Sequence, residues 1–114
     1  MHELSIVTGI IDIAEEEAAK AGVKAFSGID LEIGTLSGIV MEALDFAWDF
    51  AVKGTVLENA ERKIIEVEAV ARCTGCGKEF KAETLYDSCP ECSNPFTDII
   101  KGKELRIKSL TIDY

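Results

Sequence analysis

Cys73-Thr74-Gly75-Cys76-Gly77 and Cys89-Pro90-Glu91-Cys92, with twelve residues between Cys76 and Cys89, carry the reading from which the rest of the chain follows. Two cysteines spaced C-x-x-C can aim both thiolates at one ion from a tight turn. Gly75 or Gly77 would relax the first turn, and Pro90 stiffens the second. Two such knuckles complete a sulfur tetrahedron, a geometry that zinc accepts without penalty. Residues 77 to 88 supply the loop that brings the knuckles together. With all four positions filled by thiolate, the ion is expected to be structural rather than catalytic. It would also let some thirty residues with little apolar core hold a fold.

The strands flanking this insert follow a period of two. Over residues 63 to 72, Ile65, Val67, Ala69 and Ala71 oppose Glu66, Glu68 and Arg72, so one strand is predicted running straight into Cys73. Over 104 to 113, Leu105 and Ile107 are out of step with Leu110 and Ile112, and a β-bulge near Lys108 and Ser109 would reconcile them. These two strands are expected to pair with each other.

Further out, residues 5 to 21 read as a helix, with Ile6, Ile10, Ile13 and Ala14 on one stripe and Gly22 as its stop. Residues 23 to 33 alternate as a half-buried strand, strongest from Ile29 to Ile33. Ser37 is expected to cap a second helix over about 38 to 52, with Val40, Leu44, Ala47, Trp48 and Ala51 inward and Gly54 beyond its end. Phe46 and Phe50 lie off that stripe and are read as core packing rather than a ligand pocket. The predicted fold is therefore α+β: two helices on an antiparallel or mixed sheet of about three strands, with an inserted four-cysteine zinc-ribbon module. The corresponding domains are 1–70 with 104–114, and 71–103.

Composition narrows the function. The net charge of −9 over 114 residues opposes nucleic-acid binding, which needs a basic stripe to neutralise phosphates. Lys101, Lys103, Arg106 and Lys108 form the only local basic cluster, and Glu104 interrupts it. An acidic protein instead suits a cation handler or a basic partner. No apolar run approaches the roughly 20 residues a membrane span needs. The first apolar stretch leads into Glu15, Glu16 and Glu17 with no basic n-region before it, so a cytoplasmic protein without a signal peptide is expected. In that compartment thiols stay reduced, which favours metal over disulfides. Iron is the rival ion, because rubredoxin knuckles share this spacing, although only Phe80, Tyr86 and Phe96 lie near the cysteines.

Met1-His2-Glu3 opens the chain, and His2 is its single histidine. The terminal amine, the next amide nitrogen and the His2 imidazole could chelate one ion in adjoining rings. Nickel(II) favours such in-plane nitrogen donors. Taken alone, a terminal histidine also admits a plain reading as a frayed residue without a duty.

Met1-His2-Glu3, the leading amphipathic helix, Leu31-Glu32-Ile33-Gly34 followed by Ser37-Gly38, the paired C-x-x-C insert and the closing Leu110-x-Ile112 strand together resemble the HypA/HybF family over essentially the whole chain. The resemblance implies a nickel metallochaperone for maturation of nickel–iron hydrogenase, and not an enzyme. It implies transient Ni2+ cargo on Met1, His2 and Glu3 and structural Zn2+ on Cys73, Cys76, Cys89 and Cys92. The implied partners are a HypB-type GTPase and the hydrogenase large subunit. One departure stands out: Val40 occupies a position where such proteins often carry an acid, and Glu42 is the next acid along. The alternatives are a zinc-stabilised adaptor that delivers no metal, and a rubredoxin-like electron carrier.

Overall fold

The computed structural model describes residues 3 to 112. Along the chain come α1 (Glu3–Ala21), β1 (Gly28–Gly34), α2 (Met41–Ala51), β2 (Glu61–Val67), β3 (Val70–Cys73), β4 (Glu79–Lys81), β5 (Thr97–Lys101) and β6 (Leu105–Thr111). One three-stranded sheet has the order β2-β1-β6 and the other β4-β3-β5. The two helices, the three-stranded sheet and the cysteine insert thus follow the predicted α+β plan.

The chain packs as two compact units. The first runs to Leu31, resumes over Ile39–Ile64 and takes the chain up again at Arg106; the second comprises Glu32–Gly38 and Ile65–Leu105. In the first unit, α1 buries Val7, Ile10, Ile11, Ala14 and Ala18, whose i, i+3, i+4 spacing makes one stripe. Helix α2 answers with Leu44, Ala47 and Trp48. Ile29 and Leu31 of β1 are buried at alternate positions, as a half-buried strand requires. Phe26, Val52, Val56 and Leu57, which fall outside any regular periodicity, complete this core. Arg62 of β2 ties the strand to α2 by an ion pair to Asp45 and by lying over the Trp48 ring, 5.3 Å from its centroid.

In the second unit β3 is central and antiparallel to both neighbours. Ala71 stands opposite Phe80 on β4 and Ile99 on β5, and Cys73 stands opposite Thr97. The ladder with β5 is irregular between Val70 and Ala71. Its apolar centre is made of small residues, Ala69, Ala71 and Ala82, flanked by half-buried Leu36, Phe80 and Ile99. Small side chains let backbones approach closely here. A Cβ on Gly34 would lie 2.0 Å from the Gly102 carbonyl oxygen, and one on Gly102 (φ +112°) would lie 2.3 Å from the Ala69 Cα, so neither position admits a larger residue.

Five local expectations need correction. Ile13, expected on the α1 stripe, is 52% exposed and Ile6 is only half-buried, because the inner face of the helix is centred on Val7, Ile11 and Ala18 and leaves residues 6 and 13 at its edge. The alternation over 63 to 72 belongs to two strands, β2 and β3, in different sheets, because the chain leaves the first ladder at Glu68 and Ala69. There the Ala69 N–H is satisfied by the Thr35 hydroxyl and the Ala69 carbonyl by the Ala82 N–H. The strands flanking the insert do not pair with each other; β1 lies between β2 and β6. Ser37 does not cap α2, which begins at Met41 with extended Val40 as its N-cap and no side-chain cap. Finally, Phe46 and Phe50 are not core: they are 80% and 72% exposed, and Val40 is 58% exposed. The phase change in β6 does occur where expected, with Lys108 and Ser109 both exposed in succession.

Candidate metal centre

The second unit gathers Cys73, Cys76, Cys89 and Cys92 so that every pair of Sγ atoms lies within 4.8 Å. Cys73 and Cys92 are 3.5 Å apart, and Cys76 and Cys89 are 3.7 Å apart. A divalent ion held by four thiolates at about 2.3 Å has tetrahedron edges of about 3.8 Å, so the sulfur cage already has the size a zinc tetrathiolate needs. Cys73 and Cys89 are buried and Cys76 and Cys92 exposed. The centre is anchored from the sheet side and open on the other.

The two knuckles repeat one local geometry. In the first, the Cys73 N–H donates to the Lys78 carbonyl and the Gly77 N–H to the Cys73 carbonyl. In the second, the Cys89 N–H donates to the Asn94 carbonyl and the Ser93 N–H to the Cys89 carbonyl. The residue after each second cysteine is left-handed, Gly77 at φ +77° and Ser93 at φ +59°. Gly77 is therefore the glycine that the first turn requires. Ser93 takes the same conformation at a cost of about 1 kcal/mol for an L-residue. Gly75 serves differently: a Cβ there would press on the Asn94 amide at 3.0 Å.

Around the sulfurs, the Gly75 and Cys76 N–H groups point at the Cys73 Sγ at 3.3 and 3.4 Å, and the Asn94 amide at 3.6 Å. Donors aimed at a sulfur favour its thiolate. The Cys76 N–H foremost, with the Gly75 N–H, overcomes desolvation and brings Cys73 down to about 6. Cys92 moves the other way. The Asn94 backbone favours its thiolate, but the hydrogen bond it shares with the Cys73 sulfur, desolvation and the neighbouring Cys89 and Cys76 outweigh that and push it up to about 12. For Cys76 the Lys78 backbone likewise favours ionisation, and desolvation with the neighbouring Cys89 and Cys73 raises it on balance. One thiolate is thus prepared in advance, while Cys76 and Cys92 need a cation to lose their protons.

Asn94 carries more of this site than the cysteine spacing suggests. Its amide reaches Cys73 and Thr74 across from the other knuckle, and its Oδ1 accepts from the Phe96 N–H. The only sequence signal for it is its place two residues beyond Cys92. Among the described residues, no other cluster of histidine, cysteine or carboxylate side chains could hold a metal ion.

Of the N-terminal candidates, Met1 and His2 lie outside the described residues. Glu3 is the first residue of α1, and its Oε2 accepts a hydrogen bond from the Val40 N–H at 3.3 Å. This links the position before α2 to the start of α1, although residue 40 carries no acid of its own.

Fold and site together define a small α+β protein whose tetrathiolate module fits a structural metal. The match to the family described as hydrogenase/urease nickel incorporation metallochaperone, HypA, extends over residues 1–112, and the chain belongs to that family. It is 43% identical to the hydrogenase maturation factor HypA of Geotalea daltonii over 112 residues, covering 98% of this chain and 99% of the relative. To the corresponding factor of Parabacteroides distasonis it is 41% identical, covering 98% and 97%. The solution structure of the nickel metallochaperone HypA from Helicobacter pylori superimposes with a TM-score of 0.71 at 28% identity, covering 98% of this chain and 97% of that one. The family is one of metallochaperone maturation factors rather than enzymes. No helix among the described residues is long and apolar enough to cross a membrane.

Proposed function

We propose that this chain binds Ni(II) through Met1, His2 and Glu3 and delivers it during maturation of nickel–iron hydrogenase. Cys73, Cys76, Cys89 and Cys92 hold a structural zinc ion. The observation that carries the reading is the family match, which begins at residue 1 and so takes in the Met1-His2-Glu3 triplet. Chemistry supports it. His2 is the only imidazole in the chain, and nitrogen donors distinguish nickel from the harder ions that carboxylates prefer. The Glu3 carboxylate at the Val40 N–H gives the nickel segment a fixed point at the start of α1.

In this division residues 1–70 and 104–114 serve nickel and 71–103 serve zinc. The site needs a free amine on Met1. Because that amine and at least one amide must lose protons, nickel affinity falls as pH drops. Donors on a terminal segment leave the ion accessible to a competing ligand, as handover requires. The partners in this reading are a HypB-type GTPase and the hydrogenase large subunit, met in the cytoplasm. The acidic surface attracts a basic partner at a rate that salt reduces.

Nickel titration of native-terminus protein tests the reading. One nickel per chain is expected, with His2→Ala abolishing it and leaving zinc content and circular dichroism unchanged. One residue added before Met1 should be nearly as damaging. Equal nickel affinity in native and His2→Ala protein would remove the site and favour the adaptor. A red chromophore at the cysteines would favour the rubredoxin-like carrier.

A further inference from the structure

Helix α2 buries one side and leaves the other uncovered. At 100° per residue, Glu42, Phe46, Asp49 and Phe50 fall within one sector about 100° wide, opposite Leu44, Ala47 and Trp48, and Lys53 follows just beyond the helix end. Phe46 and Phe50 are 80% and 72% exposed. They stand four residues apart, so their rings are neighbours along the helix. Between them Asp49 and Lys53 complete a groove of about 300 Å³. Two nearly bare rings expose on the order of 300 Å² of aromatic surface, within the range of functional patches on monomers. Neither ring contributes to the core, and a helix needs no aromatic on its wet side.

We propose that this face of α2 is a docking site for a basic amphipathic helix of a protein partner. An aliphatic side chain of the partner fills the groove between Phe46 and Phe50, and its basic residues lie against Glu42 and Asp49. Charge selects this occupant. The acids Glu42 and Asp49 outnumber Lys53 on the face, and the whole chain carries −9. A second copy would bring like charges together at close range, and an anionic lipid surface would be repelled. The hydrophobic anchor within an acidic rim matches the helix-in-groove mode, in which two or three apolar anchors give affinity and flanking charge gives register. The surface stands whether or not residues 1 to 3 bind nickel, so the two proposals fail separately.

The test uses the full zinc-loaded chain and a 14-residue amphipathic helical peptide of leucine and lysine, with a peptide carrying glutamate at every lysine position as its control. Calorimetry is expected to give one binding site for the lysine peptide. The Phe46→Ser/Phe50→Ser variant, which keeps every charge, should bind at least tenfold more weakly, with unchanged circular dichroism and zinc content. Glu42→Gln/Asp49→Asn should weaken binding severalfold and flatten its salt dependence. No binding of the lysine peptide by native protein would overturn the proposal. So would equal binding by the Phe46→Ser/Phe50→Ser variant, or equal affinity for the glutamate peptide. Self-association of native protein in sedimentation, abolished by the same variant, would make the face an interface between copies instead. Capture of neutral phosphatidylcholine vesicles by native protein but not the variant would make it a lipid-binding face.

Discussion

The two units of this chain are stabilised by different physics. In the first, Val7, Leu31, Leu44 and Leu57 are fully excluded from water, and burial of large aliphatic side chains at roughly 25 cal/mol per Å² drives folding. In the second, Ile33 is the one large aliphatic side chain buried among the described residues; the deepest apolar positions are alanines, joined by Cys73 and Cys89. An alanine core returns little transfer energy, so coordination must supply what burial cannot. One polypeptide thus holds a region that should fold by packing beside one that should fold by ligation.

The sharpest way to break that contrast is to take the metal away. Structural zinc sites contribute about 10–16 kcal/mol at neutral pH. A strong chelator, or Cys73→Ala, should therefore abolish amide-exchange protection in β3, β4 and β5 while α1 and α2 keep theirs. Exchange read by mass spectrometry decides it. Retained protection in β3 would mean that the alanine core suffices.

Leu44→Ala is the reciprocal experiment. It empties a fully buried site of the first unit and should cost about 3 kcal/mol of denaturant stability without altering zinc stoichiometry. Zinc loss in step with unfolding would show that the two modes are a single cooperative system.

Acidification should act on the ligation side. Without metal, Cys76 is raised and Cys92 is pushed up to about 12, so both carry protons at pH 7, whereas Cys73, at about 6, is largely thiolate. Metal binding must expel at least those two protons. Affinity should thus fall by at least about a hundredfold for each pH unit lowered from 8. Below pH 6 the Cys73 thiolate also takes up a proton, and the decline should steepen. Competition with a chromophoric chelator from pH 8 to 5 measures the slope, and a pH-independent affinity would refute the protonation scheme.

The smallest expected effect compares the knuckles themselves. Ser93→Gly relieves the left-handed strain that Gly77 already avoids, and after the added freedom of the unfolded chain is subtracted it should raise the stability of the second unit by about 0.5 kcal/mol. A destabilised variant would mean that the Ser93 side chain contributes more than its backbone costs.

Much of this architecture was legible from periodicity and spacing. The α1 stripe, the alternation of Ile29, Leu31 and Ile33, the sulfur cage and the shift at Lys108–Ser109 all arise from local rules, in which a residue's place along the helix or strand sets its face. Errors came where the local pattern is degenerate. The alternation through Ile65, Val67, Ala69 and Ala71 is the same for one strand as for two, and nothing in it says that the chain changes sheets at Glu68. Phe46 and Phe50 are as apolar as any core residue, and only the packing of Leu44 and Trp48 turns them outward. Ser37 is a sound capping residue that simply stands too early, since the chain turns at Ser37, passes through left-handed Gly38 and starts the helix only after extended Val40.

The sequence alone therefore determined the donor set, the helical stripes and the family resemblance, because each depends on residue type and short-range spacing. The tertiary structure decided the rest: that β1 takes the centre of its sheet, that Gly34, Gly102 and Ala69 meet backbone to backbone, that Asn94 reaches across to Cys73, and that the Val40 N–H finds Glu3. Each of these joins residues at least 21 positions apart in the chain. Contacts at such separations are chosen by the competition of whole surfaces for burial and hydrogen bonding, which no short window of sequence contains.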